Sequence, residues 1–469
     1  MHAAMMRSHL ILLLFIYAEV QGWLAIKPQQ FRSLKQHATI LEGDDLKALL
    51  SKADSMKEAA SGSIPFSELE LDKAIVSMRN VAEDGRPPMT AENYATYHFE
   101  SVDLGAYRGR KNIHLQWNLC FSTVYYSALC FFAALVGRVA HKNFKNWAET
   151  GRAAEALVDL LGGPDNVIFR RVFRRVLRDG RWDEAAAAAS AVSSRQPQTD
   201  DLQPPWCVLV SGLNGIRKTS ALHEPWFQQC LAEAIEGPKY GGMEKAIESE
   251  NDLPSAGNSF FRQLDYMIAT VANEEFRELY AACGNDPDNV AAYSKFKDGI
   301  FSRYRTLAEI VGVLLVRECQ RRRMNVLLET SGRDIGMFKY VDHFFPTGSG
   351  FHKLVVRFEI NDLSFAEQSV DARMLSEMAI GEAASASASV SAVIDANQGG
   401  PYGSAVLAGV KSDSDRVWES IVESNGLEEQ TGSTWHKAVI AIDAHANKPW
   451  TARAKVPGAT TFEFSPRNT

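Results

Sequence analysis

Lys218 and Thr219 stand near the end of the segment PPWCVLVSGLNGIRKTSAL, residues 204–222, behind an apolar run and a glycine-containing turn. The run at 206–210 reads as a buried strand. Gly212, Asn214 and Gly215 permit a sharp bend whose backbone N–H groups can face an anion. In a loop of this kind Lys218 reaches the outer phosphates and the Thr219 hydroxyl completes the shell of a Mg²⁺ ion, with Ser220 adjoining them. The chemistry indicated is nucleotide phosphate binding.

The usual spacing of such a loop is Gly, four residues, Gly, Lys, then Ser or Thr. Gly212 and the Lys218-Thr219 pair fit it, but Arg217 occupies the place of the second glycine. A side chain there crowds the phosphates or demands a strained backbone. Gly215 can carry part of the turn, and an arginine can itself face a phosphate. Pro225 disfavours helical geometry at Glu224, so the following helix is expected to stop or kink after little more than one turn. The competing reading is a strand-to-helix turn that binds nothing.

A phosphate loop becomes an active site when charged groups reach it from other strand ends, because phosphoryl transfer rests on positioning and charge neutralisation. The segment MNVLLETSGRD supplies a strand at 325–329 ending on Glu329, at the carboxyl edge where open α/β sheets bind ligands. Glu329 can hold Mg²⁺ or grip a substrate hydroxyl; alternatively it caps a helix or pairs with Arg333. Further strands are expected at 354–360 and 437–442. Strands alternating with helices argue for a parallel sheet flanked by helices, with a long helical insert between the first two strands. The Ala/Ser-rich tract 383–391 reads as helix or flexible linker, and the cluster Gly399-Gly400-Pro401-Tyr402-Gly403 as a loop.

Taken in order, SGLNGIRKT, NVLLETSGRD and LVVRFEINDLSFAEQSVDARM resemble the zeta-toxin-like kinases, over about residues 204–374. The resemblance implies a P-loop NTPase or kinase-like α/β domain that uses ATP and Mg²⁺ to phosphorylate a small-molecule hydroxyl, as on a sugar nucleotide. It also implies roles. Lys218 and Thr219 align with the family's loop pair, and Glu329 with the glutamate of its E-G-T-like strand end. Arg373 falls where the family has a lid arginine facing the transferred phosphoryl group. Asp265, preferred to Asp252, would be the base that takes the hydroxyl proton. Asp265 could instead pair with Arg262, and Arg373 with Glu377 four residues on. Asp362 is a further ligand candidate. Arg217, Pro225 and the long insert depart from the family pattern.

The chain has 469 residues, 46% hydrophobic and 23% charged, which suits two folded domains. Its net charge of −7 excludes a general nucleic-acid or anionic-membrane coat. Residues 1–22 resemble a signal peptide, and with the basic, acid-poor stretch that follows, residues 1–40 resemble a two-part plastid leader; a plain secretory signal is the competing reading. That leader implies the secretory route, with the plastid stroma as end point. A mainly α-helical domain is expected over 41–185, a linker over 186–203, the α/β domain over 204–450 and a tail over 451–469. The uncharged stretch 112–137 reads as a buried helix rather than a membrane span, and the arginine-rich segment 168–182 as a solvated face over a packed stripe. Six cysteines without CxxC pairs read as packing residues. Two rivals to the kinase remain: a nucleotide-binding regulatory protein without catalysis, whose helical half holds a partner, and a membrane-associated structural protein.

Overall fold

The computed structural model describes residues 43–61, 66–82, 128–136, 139, 147–161, 163, 205–221, 226–227, 230–231, 260–387, 389–423, 426–444, 450–455 and 462–464. The leader 1–40, the linker 186–203, the arginine-rich segment 168–182, Cys120, Pro225 and Asp252 lie outside the described residues, as does most of the stretch 112–137.

In β1, Trp206–Ser211, side chains alternate between two cores. Cys207 and Leu209 enter one buried cluster, Val208 and Val210 the other, and all four are fully buried. A strand covered on both faces reads as an unbroken apolar run, which is how it stands in the sequence. The sheet order is β2-β1-β3-β4-β5-β6, with β2 Val326–Thr330, β3 His352–Ile360, β4 His436–Asp443, β5 Thr451–Lys455 and β6 Phe462–Phe464. The first four strands are parallel, and β5 and β6 are antiparallel to their neighbours. The chain is therefore a mixed α/β protein with a mostly parallel sheet. Residues 451–455 and 462–464, within the segment expected as a tail, instead form β5, which pairs between β4 and β6, and the edge strand β6.

Among the described residues, α1 Gly43–Ser61, α2 Glu68–Ala82 and α3 Trp147–Leu160 precede the sheet, and residues 128–136 are also helical. A capping box starts α2: the Ser67 N–H donates to Glu70 Oε2 at 2.8 Å, and the Glu70 N–H to Ser67 Oγ at 3.2 Å. After β1 come the short turn of helix α4 Lys218–Ala221 and the insert helices α5 Phe260–Val271, α6 Asn273–Cys283 and α7 Val290–Arg322. Leu49, Ala53, Leu71, Ile75 and Leu157 of α1, α2 and α3 share one buried cluster with Phe296, Ile300 and Leu307 of α7. Gly299 permits this contact, because a Cβ there would lie 3.0 Å from the Ala53 backbone.

Helix α8 Gly336–Phe344 follows β2, and α9 Leu363–Ser385 follows β3. The Ala/Ser tract then turns into α10 Val390–Ala396, capped by Ser389. Arg277 of α6 holds that turn, donating to the carbonyls of Ser385 at 2.8 Å, Ser387 at 2.5 Å and Ser389 at 3.2 Å. No described helix is long and apolar enough to cross a membrane. Cys207, Cys230, Cys283 and Cys319 are buried, and burial raises Cys283 to about 12. In a parallel order 2-1-3-4 the winding reverses between β1 and β3. Open α/β sheets bind ligands in the crevice at the carboxyl ends of the strands flanking such a reversal.

Candidate functional site

β1 releases the chain into the Gly212–Thr219 loop at this crevice. Gly212 has φ +139°, and a Cβ there would meet the Phe358 carbonyl oxygen at 2.6 Å; Gly215 has φ +82°, and its Cβ would meet the Ala366 carbonyl oxygen at 2.4 Å. Both positions need glycine, because β3 and α9 press on the loop backbone. Arg217 adopts φ +67°. The position where the motif places glycine thus keeps the left-handed backbone while carrying a long side chain. Its guanidinium lies 5.1 Å from the Phe365 ring centroid, and its buried Nε has no hydrogen-bond partner.

Lys218 is buried and folds back on its own loop, donating from Nζ to the Gly212 carbonyl at 2.6 Å and to the Leu213 carbonyl at 2.5 Å. Burial lowers its ammonium to about 8; the Glu329 carboxylate opposes that shift and the Arg373 guanidinium adds to it. Thr219 and Ser220 lie in the α4 turn beside it, and their side chains are outside the described residues. The adjacent strand end is tied to the loop by the Gly212 N–H, which donates to the Thr330 carbonyl at 3.1 Å.

Asp265 arrives from α5, in the insert. Burial pushes its carboxyl up to about 7, against the pull of Lys297 and Arg373, with Glu329 raising it and Arg305 lowering it. Lys218, Asp265, Glu329 and Arg373 thus share one electrostatic neighbourhood, although they come from the loop, α5, β2 and α9. Arg373 donates from Nη2 to the Gly400 carbonyl at 2.9 Å, and its buried Nε has no partner. Glu377 does not pair with Arg373: its Oε1 sits 2.5 Å from Lys297 Nζ, with both side chains wholly buried, and also accepts from Tyr293. Asp362 is a helix cap, accepting from the Ser364 N–H at 2.9 Å and Oγ at 2.7 Å. Asn214 faces the 399–403 loop, where a Cβ on Gly400 would lie 3.5 Å from its Nδ2.

Sequence reasoning missed Lys297 and Arg305, both on α7. A lysine or arginine on a long helix reads as a solvated charge, and nothing in the local pattern marks Lys297 as buried, or Arg305 as half-buried, beside a carboxylate. Arg305 pairs with Glu309 at 2.8 Å and is further influenced by Tyr402 and Asp334. Arg333 lies over the Tyr402 ring at 5.2 Å.

The donor set suits an anion. Positive groups gather at the carboxyl edge of the sheet, and among the described residues neither Arg217 nor Arg373 has a carboxylate partner within ion-pair distance. No group of three His, Cys, Asp or Glu side chains is placed to hold a metal among the described residues. That is compatible with Mg²⁺, which commonly binds through one or two protein oxygens together with substrate phosphates. No family model, curated protein or solved structure matches this chain.

Proposed function

We propose that this chain is an ATP-dependent P-loop kinase resembling the zeta-toxin-like enzymes, which phosphorylates a hydroxyl of a small metabolite such as a sugar nucleotide. The observation that carries the reading is the shared electrostatic neighbourhood of Lys218, Asp265, Glu329 and Arg373 at the switch point of a parallel sheet. ATP would supply the phosphoryl group and Mg²⁺ would offset its charge. Lys218 and Arg217 would hold the phosphates with the backbone of Gly212, Asn214 and Gly215, while Thr219 and Glu329 would hold the metal and Ser220 would border the phosphates. Asp265 would take the proton of the acceptor hydroxyl as its oxygen bonds to phosphorus and the bond to the β-phosphate oxygen breaks. Arg373 would stabilise the charge on the phosphoryl group in transit.

The test is ATP binding by purified full-length protein with Mg²⁺, followed by a search for phosphorylated product among sugar nucleotides and polyols. Lys218→Ala should weaken ATP binding by roughly 10-fold or more, in keeping with loss of a charge-assisted contact. Equal binding by parent and variant would remove the basis of the reading. A second reading, a nucleotide-binding protein without catalysis, is favoured by the strained Arg217 backbone. Lys218-dependent binding with no product across the panel would select it.

A further inference from the structure

The two cations best placed to meet phosphate both donate to main-chain carbonyl oxygens. Lys218 donates to its own loop, and Arg373 donates to Gly400. Gly400 belongs to a short strap fastened at several points. The Asn397 side chain donates to the Asp265 carbonyl at 3.2 Å, Ser294 Oγ to the Pro401 carbonyl at 3.0 Å, and the Ser404 N–H to Asp371 Oδ1 at 3.1 Å. Gly399 has φ +151°, and a Cβ there would meet Arg373 Nη1 at 3.0 Å, so the strap backbone lies directly on the guanidinium. Its other flank reaches Asn214 of the loop.

We propose that residues 399–403 form an autoinhibitory strap, in which the Gly400 carbonyl oxygen takes the place on Arg373 that an anionic ligand's oxygen would occupy. Opening requires the Arg373–Gly400 bond to break. Three features make this feasible: the strap holds three glycines, the Ser294–Pro401 and Asn397–Asp265 bonds to carbonyl oxygens are single neutral contacts, and α9 stays fixed by the Lys297–Glu377 pair. A ligand must therefore bind at the expense of the closed form, and its apparent affinity is lowered by the fraction of molecules that are closed.

This inference takes ATP as the ligand from the proposed function, so its test has one arm independent of nucleotide. Hydrogen exchange of strap amides is measured on the full chain without ligand, for the parent, Ser294→Ala and Arg373→Met. Both variants should exchange faster at 399–404 than the parent, by about 3-fold or more, as expected for loss of one hydrogen bond. Unchanged protection in both would overturn the strap. In the second arm, ATP with Mg²⁺ should speed exchange at 399–404 in the parent, and Ser294→Ala should bind ATP about 3-fold to 10-fold more tightly. ATP binding that leaves the strap protected, or an unchanged affinity in Ser294→Ala, would also overturn it. If the parent shows no Lys218-dependent ATP binding, the kinase reading falls while the first arm still decides the strap.

Discussion

Lys297 Nζ lies 2.5 Å from Glu377 Oε1 and joins α7 to α9 where both side chains are wholly buried. Tyr293 also donates to that oxygen, while Glu377 Oε2 has no partner. Two charges in an apolar interior are tolerated together far better than singly. Lys297→Met should therefore lower stability by about 3–5 kcal/mol. The double variant Lys297→Met, Glu377→Gln should regain much of that loss, because a neutral amide oxygen can still accept from Tyr293. Denaturant midpoints of the three proteins check this, and a double variant as weak as Lys297→Met alone would contradict it.

Lys218, lowered to about 8 mainly by burial, is partly neutral in mildly alkaline solution. A bound phosphate favours the ammonium, so ATP binding at a pH just above 8 should take up a proton, up to one per site, and almost none at pH well below 7. Calorimetry in two buffers of different ionisation enthalpy measures the uptake. Zero uptake in the alkaline range would mean that the ammonium does not meet the nucleotide.

Asp265, raised to about 7, should give kinase turnover that rises with pH through a single step near that value. Asp265→Asn should abolish the step and lower turnover by about 10²-fold or more. Stability should move the other way. From the ordinary aspartate value of 3.8 up to about 7 the folded protein retains a proton that the unfolded chain has released, so stability falls as pH rises through that window. The Asn variant should escape this decline and, at pH above 7, exceed the parent by roughly 1–2 kcal/mol, allowing for partial exposure of the carboxyl.

Gly215 and Arg217 both have positive φ, yet their substitutions should differ. Gly215→Ala drives a Cβ to 2.4 Å from the Ala366 carbonyl oxygen and should cost about 3 kcal/mol or more through clash and strain. Arg217→Gly relieves a left-handed backbone, worth about 1–2 kcal/mol, but loses stacking on Phe365 and loosens the unfolded chain. Its stability should stay within about 1 kcal/mol of the parent. Thermal or denaturant midpoints of the two variants decide the matter.

The four parallel strands were legible because each is an apolar run bounded by polar or turn residues; in β1 and β3 burial on both faces makes the run continuous, while in β4 buried and half-buried residues alternate. Strands β5, TARAK, and β6, FEF, were not legible. They are short antiparallel strands at one side of the sheet, with β6 at the edge, and charged residues such as Arg453 and Lys455 dilute the apolar signal. The Ala/Ser tract looked loose in composition, yet Arg277 gathers its carbonyls from another helix. No pattern within the tract could announce a clamp supplied from elsewhere.

The glycine spacing at Gly212 and Gly215 and the cation at Lys218 could be read directly from the chain, since backbone conformation and side-chain charge are local properties. Whether Asp265 and Arg373 would meet Lys218, and whether Lys297 would be buried, depended on how α5, α7 and α9 pack against one end of the sheet. Burial and Coulomb interaction act through space, so the acidity of Asp265 and the pairing of Glu377 with Lys297 follow from distances that no short stretch of residues specifies.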